Sequence, residues 1–393
     1  MTDDRLEILD VETCHGASPN RRETKSHNDM KKSIVLIICL FALLGLQSCH
    51  KKANTAQTVE PVVLNEQTVS AFARNIANGI VGENADVLNN AFDAEGMRQL
   101  VSENPIVYSG FDVEGGKEYF EKCLHLGEQA VKAVHDGGDF AFVKYYLQNQ
   151  QHHIVFRSYN DFNLNFMDFL VDTVQGELKI KDGFIFNTGA LLSKNIEYSM
   201  LFNLMLQTNP NDEAHWLQTA QELTLNGQHT QALRILTEHK EGLREYPLYY
   251  QLWIANLYQS NPKTFIAQLD KLKDDVDERY LLLHKFLCFF NEGRINETEE
   301  VVTRLIPFTG DDPIYLLFYG KACLLAKDYP RALDCFATAE SALPLLWDLW
   351  YSEIQCYRGM KDTKGIEQCL LRGKDAYGMS DEELDALRKE LWD

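Results

Sequence analysis

Basic residues are scarce in this chain. Its 393 residues hold 38 Lys and Arg against 58 Asp and Glu, a formal net charge of −20. A surface of that sign repels phosphate backbones, so nucleic-acid partners are not expected. Long apolar runs are missing as well. The longest, Ile34–Leu46, is thirteen residues, where a spanning helix needs about 20. The cysteines form no C-x-x-C pair and no zinc-type Cys/His spacing, so no metal is expected. There is no H-E-x-x-H, no G-x-S-x-G and no dinucleotide fingerprint, and no cofactor is expected either. Gly115-Gly116-Lys117-Glu118 lacks the upstream Gly spacing and the Ser/Thr of a phosphate loop; it reads as a turn feeding a helix. At 45% hydrophobic the composition is that of an ordinary globular protein with room for two or three domains.

What is present begins with Met30-Lys31-Lys32-Ser33, the apolar run, and then Gln47-Ser48-Cys49. A basic start, a short apolar stretch and small residues before a cysteine form a secretory signal. Leu46-Gln47-Ser48-Cys49 resembles a bacterial lipobox, which implies lipidation at Cys49 and a mature chain starting there. The alternative is one transmembrane anchor. Residues 1–29 are then a mis-annotated or disordered leader, with translation starting at Met30, residues 30–48 the signal peptide, and residues 49–63 a polar, flexible tether. In Bacteroidetes-type surface lipoproteins, acids after the cysteine mark export to the outer face. His50, Lys51 and Lys52 here imply the outer membrane facing the periplasm, held by the lipid anchor only. Of the nine cysteines, Cys123, Cys288, Cys323, Cys335, Cys356 and Cys369 remain. They read as small packing residues, with a Cys323–Cys335 bridge as the oxidised alternative.

From residue 213 to 380 the pattern turns helical with a period near 34. The clearest unit, 313–346, places Leu316, Tyr319, Gly320, Cys323, Ala332, Phe336, Ala339 and Pro344 at helix-hairpin spacing, with Lys327-Asp328-Tyr329-Pro330 at the turn. Weaker copies start at 213, 247, 279 and 347, with Thr298, Ala332 and Ile366 each 34 apart. This resembles the tetratricopeptide repeat. The resemblance implies about five stacked hairpins forming an all-α repeat solenoid, closed by a capping helix over residues 381–393. It also implies a concave groove lined by Gln221, Gln251, Tyr258, Lys321, Tyr351, Gln355 and Arg358, chemistry suited to a protein or peptide partner. Solvated surface, or cover by the first domain, is the other reading of those seven.

Residues 64–205 differ in kind. Phe72, Ile76, Ile80 and Val81 predict a first helix, Val87, Leu88 and Phe92 a second, and Lys117–Leu126 a third. Alternating strands follow: Phe140–Leu147, Ile154–Tyr159, Phe162–Asp172, Leu178–Gly183 and a last strand over Phe184–Asn187. Helices followed by a curved antiparallel sheet make an α+β domain. Its element order resembles the nuclear transport factor 2-like fold, a cone closed by helices. The other reading is an unrelated α+β domain whose sheet docks on the repeats. That fold hosts isomerases and dehydratases, which makes Asp168, Asp172, His125, His135, His152 and His153 the candidate acid–base groups. Asp168 and Asp172 share a strand face, directed into the cone or to solvent. His152 and His153 point to opposite faces. No acid–base pair or nucleophile motif accompanies them, and no catalytic residue is assigned. The reading is a lipid-anchored, non-enzymatic envelope scaffold. Small-ligand binding or isomerase/lyase-like chemistry in the cone is the alternative.

Overall fold

The computed structural model describes residues 63–111, 115–160, 163–208, 213–344 and 346–392. Cys49, the signal and nearly all of the tether lie outside the described residues. Helix α1 (Glu66–Val81) opens on a capping box in which the Asn65 side chain accepts the Thr68 amide and Thr68 returns the bond. Val69, Ala73, Ile76 and Ile80 bury one stripe of it. Val81, expected on that stripe, is exposed, because one more residue turns it about 100° away. The second expected helix shrinks to one turn, α2 (Asp86–Asn89), and Phe92 instead bridges to Ile180 of the sheet. Helices α3 (Ala94–Val101), α4 (Pro105–Gly110), α5 (Gly116–Leu124) and α6 (Gly127–His135) follow.

Strands β1 (Asp139–Gln148), β2 (Gln151–Asn160), β3 (Asn163–Val174), β4 (Glu177–Ile185) and β5 (Ala190–Leu191) form one antiparallel sheet in chain order. The tight turns at Asn149-Gln150 and Gln175-Gly176 hold both central residues at positive φ, which matches the twist of the strands they join. The expected break at Gly183 is absent. Gly183 pairs with Phe169 inside β4, and a Cβ there would sit 2.2 Å from the Phe169 ring. The glycine makes room for that ring and does not end the strand. Helix α7 (Leu192–Thr208) closes this α+β region.

The remainder is helical: α8 (Glu213–Leu225), α9 (His229–Glu238), α10 (Lys240–Leu243), α11 (Pro247–Ser260), α12 (Phe265–Leu269), α13 (Glu278–Asn291), α14 (Ile295–Thr309), α15 (Ile314–Leu325), α16 (Tyr329–Glu340), α17 (Trp347–Met360), α18 (Thr363–Tyr377) and α19 (Asp381–Trp392). Pairs α8/α9, α13/α14, α15/α16 and α17/α18 pack against each other. Each first helix of these pairs ends the same way. Gly227, Gly293, Lys327 and Lys361 take φ of 71°, 64°, 61° and 59°, and the next amide donates five residues back. Two glycines suit that left-handed position; a lysine there costs about 1 kcal/mol. Gly320 lets the Phe336 ring come where a Cβ would sit, 2.4 Å away. The unit at 247–278 is irregular: Asn261-Pro262 leads into a 3-10 turn, and α12 is only five residues. Helix α19 starts on a Ser380–Glu383 capping box, as its sequence reads.

The sheet is buried on both faces. Phe140, Ile154, Phe156, Phe169 and Val171 face the helices of the first region. Val155, Tyr159, Leu164, Phe166, Phe184 and Phe186 pack on α13–α17 with Leu283, Phe286, Ile314 and Phe318. The result is helices, sheet, helices in three layers.

Candidate functional site: the seam between sheet and helices

The outward sheet face meets the helical region through rings and buried charges. Phe166 lies 5.9 Å from Tyr315, and Tyr159 lies edge-on to Phe318 at 5.6 Å. Three polar joints are set into this apolar layer.

In the first, Asp168 of β3 is only 5% exposed. It accepts from the Tyr146 hydroxyl, lies 3.0 Å from His153 Nδ1, and takes a 2.9 Å bond from Arg279 Nη1 of α13. Arg279 also holds Asp277 and sits 3.7 Å over the Phe184 ring. Tyr146 stacks on His153 at 4.6 Å, and burial with the adjacent Asp168 charge pushes its phenol far up. In the second joint, buried Arg157 of β2 lies between Asp139 of β1 and Asp312, just before α15. Burial pushes the Asp312 carboxyl up, against the pull of Arg157. In the third, Asp348 at the start of α17 takes bonds from Tyr159 and Lys321. Each joint pairs opposite charges at a site partly shielded from water, although Asp312 Oδ2 in the second is left without a partner.

This geometry places the residues weighed for acid–base chemistry. Asp168 points away from the cone, into the seam, and Asp172 is exposed beyond a register shift at Leu170/Val171. His152 and His153 do face opposite ways, to Tyr145 at 2.9 Å and to Asp168. His125 and His135 lie at the surface, more than half exposed. The inner side of the sheet is packed with rings, Phe92 on Phe169 at 5.6 Å and Phe140 on Phe156 at 5.2 Å. Asp168 is therefore not a carboxylate of the cone's interior.

The seven groove residues also separate. Lys321 is 5% exposed and bound to Asp348; Tyr351 is 4% exposed among Trp350, Ile354 and Leu387. Neither side chain is presented to a partner, because Lys321 is held by the same Asp348 that Tyr159 of the sheet reaches, and the last helix covers Tyr351. Gln221, Gln251, Tyr258, Gln355 and Arg358 are half-buried. Tyr258 packs edge-on to Phe265 at 5.2 Å, and burial raises its phenol. Arg157, Tyr159, Arg279, Asp312 and Asp348 were not singled out from the sequence. The available signal was apolar character at positions two and five of the proposed units, Tyr280/Leu283 and Ile314/Leu317, all buried. A water-filled groove would be polar there.

The described cysteines are all free thiols, including Cys323 and Cys335. Among the described residues, no group of three His, Cys, Asp or Glu side chains is placed to hold a metal ion. Compared with protein-family models, curated proteins and solved structures, the chain matches none of them.

Proposed function

We propose that this chain is a lipid-anchored scaffold of the bacterial cell envelope, anchored through Cys49 and binding a protein or peptide partner on its helical region. On this reading a nuclear transport factor 2-like domain is wedged into a tetratricopeptide-like array as an internal strut. The observation that supports it is the seam: six sheet residues from Val155 to Phe186 are at most 7% exposed, and all three joints tie the sheet to the helices. A strut so held keeps the helix ends in fixed relative positions, which is what a docking platform needs. The partner meets the half-buried side chains that the sheet leaves open, Tyr258 and Arg358 foremost.

In-cell crosslinking and pull-down of the native protein, wild type against Tyr258→Ala/Arg358→Ala, tests this. The expected result is a specific partner lost in the double variant, and release of Cys49→Ala from the membrane fraction. A partner set indifferent to the double change, or a Cys49→Ala chain still membrane-bound, overturns the corresponding half of the reading.

A further inference from the structure

The chain as a whole is strongly acidic, yet the turn edge of its last two helix pairs is not. Lys327, Lys361 and Lys364 are exposed there and Arg358 is half-buried. Among the described residues, none of the four has a carboxylate within ion-pair distance. The neighbouring arginines behave otherwise: Arg294 is held by Glu292 and Glu297, Arg372 by Glu340 and Glu353, and Arg388 by Glu367 and Asp385. Two carboxylates lie next to the lysines in sequence, but neither pairs with them and each caps a helix. Asp328 accepts the Arg331 amide, and Asp362 accepts the Gly365 amide at 3.0 Å. Apolar side chains accompany the cations, Leu325 at 44% and Met360 at 38% exposure.

These residues form one surface. A Cβ on Gly359 would sit 2.4 Å from the Tyr329 ring, so the end of α17 lies on the start of α16. Lys327 is two residues before that contact and Lys361 two after it. The lysines also stand where the backbone disfavours a side chain. At the matching position the earlier pairs use Gly227 and Gly293, while Lys327 and Lys361 hold φ of 61° and 59°.

We infer that Leu325, Lys327, Arg358, Met360, Lys361 and Lys364 form a docking surface for an acidic peptide segment carrying an apolar anchor. The inference rests on the scaffold reading above and gives its partner a chemistry. Charge complementarity selects the sign, and the two exposed apolar side chains select an anchor. A peptide is favoured over an anionic bilayer because a chain of net charge −20 repels a broad negative surface. A short segment feels only the local cations within a Debye length of about 8 Å.

The test is fluorescence anisotropy of the intact protein. The probe is a labelled octapeptide of Glu and Asp with one Leu and one Phe; its counterpart has every acid replaced by Lys. The variant is Lys327→Gly/Lys361→Gly, which suits the left-handed backbone, so that folding is retained. The acidic probe is expected to bind, to weaken with added salt, and to lose about tenfold in the variant. Binding of the Lys counterpart that the variant weakens as much as it weakens the acidic probe, or an unchanged affinity of the acidic probe in the variant, overturns the inference. So does stronger lysine-dependent binding to vesicles with anionic headgroups than to the peptide. An in-cell partner that survives Lys327→Gly/Lys361→Gly but not Tyr258→Ala/Arg358→Ala sinks this inference and leaves the scaffold reading standing. Probe binding with the expected losses, but no in-cell partner, supports the surface and sinks the scaffold reading.

Discussion

Replacing Asp168 by Asn tests whether the seam is a structural joint. The carboxylate accepts from Tyr146, His153 and Arg279; an amide of the same shape keeps one acceptor oxygen and adds donors facing donors. Removing one member of a buried pair costs about 3–5 kcal/mol when it strands the other charge. Arg279 is not stranded, since Asp277 holds it at 3.0 Å and the Phe184 ring covers it at 3.7 Å. The expected loss is therefore about 2 kcal/mol, or roughly 3 °C in melting temperature for a protein of this size. Urea and thermal unfolding give the magnitude, and amide hydrogen exchange gives the location. Protection must fall on both sides of the seam, in β3 and in α13, if the joint couples them. A double-mutant cycle with Arg279→Met is expected to show coupling of about 1–2 kcal/mol. An unchanged midpoint, or exchange that rises in the strand alone, refutes the reasoning.

Two other groups give sharp expectations. His284 is half-buried, but its Nε2 is shut off from water without a partner, and desolvation lowers its pKa from 6.5 to about 4. Because the folded value lies below the unfolded one, its contribution is intact above pH 6.5 and is lost as pH falls towards 4, by about 3 kcal/mol. His284→Leu is expected to flatten stability against pH across that window; a profile parallel to wild type rejects the assignment. Burial pushes the thiols of Cys123 and Cys323 up to about 11 and those of Cys288, Cys356 and Cys369 up to about 12. Half-buried Cys335 is therefore expected to react first with a thiol reagent at pH 8, and the other five only on unfolding. Fast native labelling of any of the five contradicts their placement.

Much of the architecture was readable from local patterns. The alternation in Phe140–Leu147 and the apolar run from Ile154 to Tyr159 give strands, the Gln175-Gly176 turn closes a hairpin, and Ser380 with Glu383 starts the last helix. Local reading failed where a distant partner decides the outcome. Gly183 looks like a break until the Phe169 ring across the ladder is in place. Asp168 looks like a solvent-facing or cone carboxylate until Arg279 arrives from 111 residues away. Lys321 looks like a groove cation until Asp348 and Tyr159 close on it. Continuous burial in Ile154-Val155-Phe156, with no polar alternate, was the trace of two covered faces.

The energetics of the seam also constrain where a partner can sit. Val155, Tyr159, Leu164, Phe166, Phe184 and Phe186 are buried between sheet and helices. At about 1.5–3 kcal/mol for each side chain removed from water, they contribute roughly 10 kcal/mol or more. A peptide binding with micromolar affinity brings about 8 kcal/mol, and would also have to re-pair Arg157, Asp168 and Asp348. The sheet is thus the stronger ligand for positions two and five of the units that start at 279 and 313, and an arriving segment does not displace it. Binding must use side chains at the far ends of the first helices, beyond the reach of the strands. Tyr258, Leu325, Arg358 and Met360 stand there, and so do the two lysines whose backbone conformation glycine would fill at lower cost.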